Sequence, residues 1–141
     1  MTILYDEGQQ AIATESRRVL EARIDKDALL PLLESVGEYH RPFWDTAKEQ
    51  GWTALALPEA EGGLGLGLIE LGLIAHQAGR SISGAPFLTS SFGAAKAIEL
   101  FGSDVQKARW LPGLASGDTI GAIAFAAVSY THLTLPTTER V

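Results

Sequence analysis

The densest group of chemically suggestive residues is the run Gly62-Gly63-Leu64-Gly65-Leu66-Gly67, with Glu59 and Glu61 just ahead of it. Closely spaced glycines let backbone amides approach a phosphate, and dinucleotide-binding loops use G-x-G-x-x-G between a strand and a helix. Neither register fits. Counting from Gly63, the sixth position is Leu68, and from Gly65 it is Glu70. A nucleoside-triphosphate loop would continue into Gly-Lys-Ser/Thr, which is also missing. Glu59 and Glu61 stand two apart in a proline-led loop with no His or Asp beside them, so they lack ligand spacing. His76 has no second histidine four residues on, and reads as a partly buried, hydrogen-bonded side chain rather than a base or ligand. His40, before Arg41-Pro42, reads as a loop residue. Ser81, Ser83, Ser90 and Ser91 have no nucleophile-elbow context. The residue pattern therefore assigns no catalytic residue, no metal ligand and no cofactor-binding residue.

The elements around these residues follow from apolar spacing and helix punctuation. From Asp6 to about Arg23, Ile12, Val19, Leu20 and Ile24 recur at helical spacing, with acids at the start where the helix dipole favours them. A second helix is expected over 28–36 with Asp27 as its cap, its apolar face being Leu29, Leu30, Leu32, Leu33 and Val36. Pro31 fits only a first turn there. Residues 41–51 read as a third helix between Pro42 and Gly51, burying Phe43, Trp44 and Ala47. Ala54–Leu57 can only be a buried connector, and the glycines after Glu61 mark tight turning or close approach. The next helix spans 68–78 with Ile69, Leu73 and Ile74 inward, and Gly79 ends it. Gly72 inside it implies close helix–helix approach. Thr89 or Ser90 would cap a helix burying Phe92, Ala95, Ile98 and Phe101. Ser103 and Gln106 form a capping box for a last helix that Pro112-Gly113 closes. After a turn at Ser116-Gly117-Asp118, Thr119–Ala126 alternates like a strand. A lone strand needs a partner ladder, so the sequence points to entry into a second, β-rich domain. The expected fold is all-α and multi-helix, with one strand at the C-terminal edge.

Bulk properties exclude several classes of function. The 141 residues suffice for one domain with a real core, and 46% hydrophobic and 20% charged residues are ordinary globular values. A net charge of −6 leaves no basic stripe for phosphates, so nucleic acid is not an expected partner. Arg17, Arg18, Arg23 and Lys26 are interleaved with Glu15, Glu21, Asp25 and Asp27, as on a solvated helix face. The absence of cysteine removes disulfides and thiol chemistry and fits a cytoplasmic protein. No signal peptide is visible at the N-terminus, and the apolar window Leu64–Ala75 is too short to span a bilayer and contains Glu70. The segment Val128–Thr137 has a back-translation that resembles a transposon-end adapter from sequencing-library preparation. On that reading residues 128–141 are a non-native tail, and His132 carries no function.

Taken together the segments resemble one family. Trp44, Gly51-Trp52 and Leu57-Pro58-Glu59-x-x-Gly62-Gly63-Leu64-Gly65-Leu66-Gly67 resemble the N-terminal helical domain of acyl-CoA dehydrogenases. Phe101-Gly102-Ser103-Asp104-x-Gln106-Lys107-x-x-Trp110-Leu111-Pro112-x-Leu114-Ala115-Ser116-Gly117 is similar to that domain's last helices. The resemblance implies residues 1–118 as the helical domain and 119–127 as the start of a middle β-domain. It also implies a parent enzyme that desaturates an acyl-CoA thioester, a carboxylate taking the α-proton while FAD takes a hydride. The expected partners are an acyl-CoA substrate and an electron acceptor, in a homo- or hetero-tetramer. The family's catalytic glutamate and most FAD contacts belong to later domains, and its Thr-Glu-Pro flavin motif is not found after the strand here. This stretch would then contribute one wall of the acyl-chain pocket, with Phe87, Leu88, Thr89, Ser91 and Phe92 as the substrate-pocket residues. Two other readings remain open at this point: a non-catalytic partner subunit of a hetero-oligomeric dehydrogenase, and a small helical interaction module.

Overall fold

A computed structural model describes residues 5–25, 27–35, 37–83 and 86–124, and what it describes is helical throughout. Helix α1 (Glu7–Arg23) begins at a capping box in which the Asp6 carboxylate accepts from the Gln9 amide at 2.8 Å. Its Val19 and Leu20 enter the core, Ile12 and Ile24 pack at the core's edge, and its length lies along α3. On the outer face Arg17 pairs with Glu21 and Arg18 with Glu15, as a solvated helix surface should. Helix α2 (Arg41–Glu49) starts on Pro42 and buries Phe43, Trp44, Thr46 and Ala47.

The segment Asp27–Glu34 departs from expectation: it is a 3₁₀ helix rather than an α-helix. Pro31 lies inside it, and its ring excludes the carbonyl four residues back that an α-ladder would need. In a three-residue repeat Leu29 and Leu32 share a face and Leu30 does not. Leu29 and Leu32 are accordingly half-buried, whereas Leu30 is exposed. Val36 and the Leu33 side chain lie outside the described residues.

Between α2 and α3, the connector Ala54–Leu57 is buried at every position. Short 3₁₀ turns at Trp52–Ala54 and Glu59–Glu61 flank it. The glycine run folds back on this connector: the amides of Leu64, Gly65 and Leu66 donate to the carbonyls of Ala54, Leu57 and Leu55 at 3.0, 2.8 and 3.0 Å. A Cβ on Gly63 would overlap the Leu57 carbonyl. The run is thus an architectural turn.

Helix α3 (Leu68–Arg80) continues through Gly79 and buries Leu71, Leu73, Ile74 and Ala78. Ile69 was expected inside but is exposed: it lies one turn before buried Leu73, in the first turn of the helix. Gly72 is not a point of close approach; open space surrounds its Cβ position. The next helix opens as a π-helix, Leu88–Ala94, and tightens into α4 (Ala95–Phe101). Neither Thr89 nor Ser90 caps it. The wider π turn shifts the helical phase, so Phe92 and Phe101 face outward while Ala95 is buried and Ile98 partly so.

Helix α5 (Asp104–Ser116) has the expected capping box of Ser103 and Gln106, but it runs through Pro112 to Gly117, its left-handed C-cap. Pro112 is exposed, so water can satisfy the carbonyl its ring leaves unpaired. Residues 120–124 carry no regular secondary structure, so the expected strand does not form over them, and 125–126 lie outside the described residues, as does the tail 128–141. Two apolar clusters make the core: one joins α1, α2, α3 and Phe87, the other seats α5 on Ala54, Leu57 and Ala95.

Candidate functional site

The sequence-predicted pocket residues sit at the start of the π-helix. Phe87 is fully buried, its ring edge-on to Phe43 at 5.8 Å between centroids, so it is a core anchor. Beside it opens a cleft of 480 Å³ between the end of α3 and the π-helix, lined chiefly by Ala78, Gly79, Ile82, Phe87, Leu88 and Thr89. Leu88 and Thr89 are exposed at this opening. The structure therefore brings Phe87, Leu88 and Thr89 together. Ser91 and Phe92 lie elsewhere on the same helix: Ser91 is buried with no partner for its Oγ among the described residues, and Phe92 is exposed outside the cleft.

Sequence reasoning missed the opposite wall. Ala75, Ala78 and Gly79 recur at helical spacing on α3 and leave room, a pattern legible as a small-residue face. Ile82 was missed for another reason. It is 78% exposed and holds a left-handed backbone at φ 55°, a conformation β-branched residues rarely adopt, and no sequence signal announces it.

Among the described residues, the lining of the cleft is apolar and includes no acid, base or nucleophile. Its one side-chain hydroxyl, Thr89 Oγ1, already donates to the Pro86 carbonyl at 2.8 Å. Its lining otherwise consists of Ala, Gly, Ile, Pro, Phe and Leu. Neither His40 nor His76 lines it. His76 is exposed rather than partly buried, with Gln77 as its neighbour, and His40 is buried under desolvation that lowers its pKa. Among the described residues no three metal-ligating side chains converge. The glycine run leaves no space for a ligand over Gly63, where a Cβ would already overlap the Leu57 carbonyl. No helix among the described residues is long and apolar enough to cross a membrane.

Comparison with known proteins agrees with the helical arrangement. The description Acyl-CoA dehydrogenase, N-terminal domain, matches residues 6–118. The chain belongs to the acyl-CoA dehydrogenase family. It is 34% identical over 109 residues to acyl-CoA dehydrogenase FadE12 of Mycobacterium tuberculosis, covering 73% of this chain and 28% of that one. Among solved structures it is similar to the ChsE4-ChsE5 complex from Mycobacterium tuberculosis, with a TM-score of 0.75 and 26% identity over 85% of this chain and 33% of that one. An acyl-CoA dehydrogenase complexed with FAD from Bacillus anthracis gives a TM-score of 0.64 at 26% identity, covering 83% of this chain and 20% of its own. The chain thus spans about a fifth to a third of the length of such relatives. The match and the structural likeness together give the chain the fold of the acyl-CoA dehydrogenase N-terminal helical domain.

Proposed function

We propose that this chain is the N-terminal part of a FAD-dependent acyl-CoA dehydrogenase. In this reading it forms one wall of the acyl-chain pocket and is inactive alone. The observation that carries the reading is the apolar cleft at Phe87, Leu88 and Thr89, placed on a helical domain that matches the family over residues 6–118. An acyl chain needs apolar walls and no charge, and this cleft offers both. The reacting carboxylate and the flavin site belong to later domains of the parent, with residues 119–127 leading into the middle β-domain and 128–141 a non-native tail. The parent acts in the cytoplasm on an acyl-CoA, passes electrons to an external acceptor, and assembles as a tetramer.

Adding FAD to the purified chain and removing free flavin should leave no stoichiometric yellow complex, and no acyl-CoA oxidation should be measurable. A one-to-one flavin complex would overturn the claim of inactivity. In the complete dehydrogenase, Leu88→Trp should depress kcat/KM for long acyl chains more than for short ones, and equal loss across chain lengths would remove Leu88 from the pocket wall.

A second reading has its own support. The ChsE4-ChsE5 structure is a complex of two differently named chains, which favours a hetero-oligomeric parent. Co-purification of the complete subunit with a distinct dehydrogenase chain would decide for it, and a lone homotetramer against it.

A further inference from the structure

Residues 120–124 have no regular structure, yet they are held against the helix that carries the cleft. The Gly121 amide donates to Ser90 Oγ at 3.1 Å, and Ser90 is 1% exposed. A Cβ on Gly121 would overlap the Cβ of Ala94, and one on Gly93 would stand 3.5 Å from Ile123 Cδ1. The segment therefore lies directly on the π-helix Leu88–Ala94. Its upstream end is tied to the core. Trp44 Nε1 donates to the Gly117 carbonyl at 2.9 Å, Thr53 Oγ1 to that of Ala115 at 2.7 Å, and the Thr119 amide to that of Gly113 at 3.0 Å. Lys48 adds an ion pair to Asp118 at 2.6 Å.

Ser90 does not line the cleft, but its backbone reaches those residues that do. Its amide donates to the Pro86 carbonyl at 3.0 Å, the same oxygen that accepts from Thr89 Oγ1. A shift of Ser90 therefore moves Pro86 and Thr89 together. A π turn is a poorly bonded piece of helix that persists where surrounding structure holds it. The segment at Gly121 supplies such a hold.

We propose that Ser90 and Gly121 form a clasp that fixes the π-helix and thereby the width of the acyl-chain cleft, making Ser90 a positioning residue for chain-length preference. The inference rests on the acyl-CoA dehydrogenase reading above for its consequence, but not for the clasp itself. Two measurements separate them. Amide hydrogen exchange on the 141-residue chain should show Gly121 exchanging roughly three- to tenfold faster in Ser90→Ala, as expected for one lost hydrogen bond. In the complete dehydrogenase, Ser90→Ala should change KM for long-chain acyl-CoA by roughly three- to tenfold, leaving short-chain kcat within about twofold. Gly121→Ala leaves the Ser90 side chain intact and pushes the segment off Ala94, and should shift the profile likewise. Because both act on one contact, the double variant should do no more than the stronger single one. Unchanged Gly121 exchange, equal loss at every chain length, or fully additive effects would each overturn the clasp. A wild-type parent that oxidises no acyl-CoA would instead overturn the functional reading, with the exchange result still deciding the clasp.

Discussion

At the scale of single residues, two glycines in similar sequence surroundings have opposite reasons to be there. Gly63 has no room for a side chain, because a Cβ would run into the Leu57 carbonyl, which is backbone and cannot swing aside. Gly72 sits inside α3 with open space around it, so nothing in the structure requires glycine there. Gly63→Ala should destabilise the chain by about 1–3 kcal/mol through forced backbone movement. Gly72→Ala should stabilise it by about 0.5–1 kcal/mol through helix propensity. Urea unfolding should move the two midpoints in opposite directions, and parallel shifts would refute this account. Phe87 makes a related point about candidate sites. Its type and position fit a pocket wall, yet full burial against Phe43 makes it foremost a core residue.

At the scale of elements, the pairing of α1 with α3 carries a polar clasp at one end. Gln9 Nε2 donates to Glu70 Oε1 at 2.9 Å, and Gln9 also belongs to the capping box of its own helix. That hydrogen bond, with the backbone amides of Glu70 and Gly67 at the start of α3, holds the Glu70 carboxyl below the usual carboxylate range. A carboxylate whose pKa is lower folded than unfolded adds stability above the unfolded value and loses it as pH falls through the folded one. Gln9→Ala should therefore raise the Glu70 pKa toward the ordinary value, read by NMR titration. Its stability deficit should be present at neutral pH and shrink on acidification. An unmoved Glu70 titration would remove the clasp. The capping box at Ser103 is independent of it: Ser103→Ala should lower stability by about 1 kcal/mol at all these pH values.

At the scale of the whole molecule, α4 and α5 present several large apolar side chains to the surface among the described residues. Leu100, Phe101, Val105 and Trp110 are all exposed there, with Phe101 at 85%. Exposed large apolar side chains favour association of an isolated chain. Sedimentation of the 141-residue chain should show a concentration-dependent rise above monomer mass, and the paired substitutions Phe101→Ser and Val105→Ser should reduce it. A strictly monomeric wild-type chain at high concentration would contradict this.

The sequence by itself determined where the helices at Asp6, Pro42 and Ser103 start, which family the chain resembles and that Phe43 and Trp44 enter the core. Capping boxes, prolines at first turns and left-handed glycines act over three or four residues, so local chemistry suffices to read Asp6, Ser103, Pro42 and Gly51. The tertiary structure decided helix phase and helix type. Ile69, Phe92 and Phe101 point outward because neighbouring elements choose which stripe to cover, and apolar spacing alone fits more than one stripe. The 3₁₀ form of Asp27–Glu34 and the π turn at Leu88–Ala94 likewise depend on what packs beside them. The contact of Gly121 with Ser90 joins residues 31 positions apart, and no local pattern encodes it. The cleft needs Ala75, Ala78, Ile82 and Leu88 brought together from three elements, which is why half of it was invisible until the chain was folded.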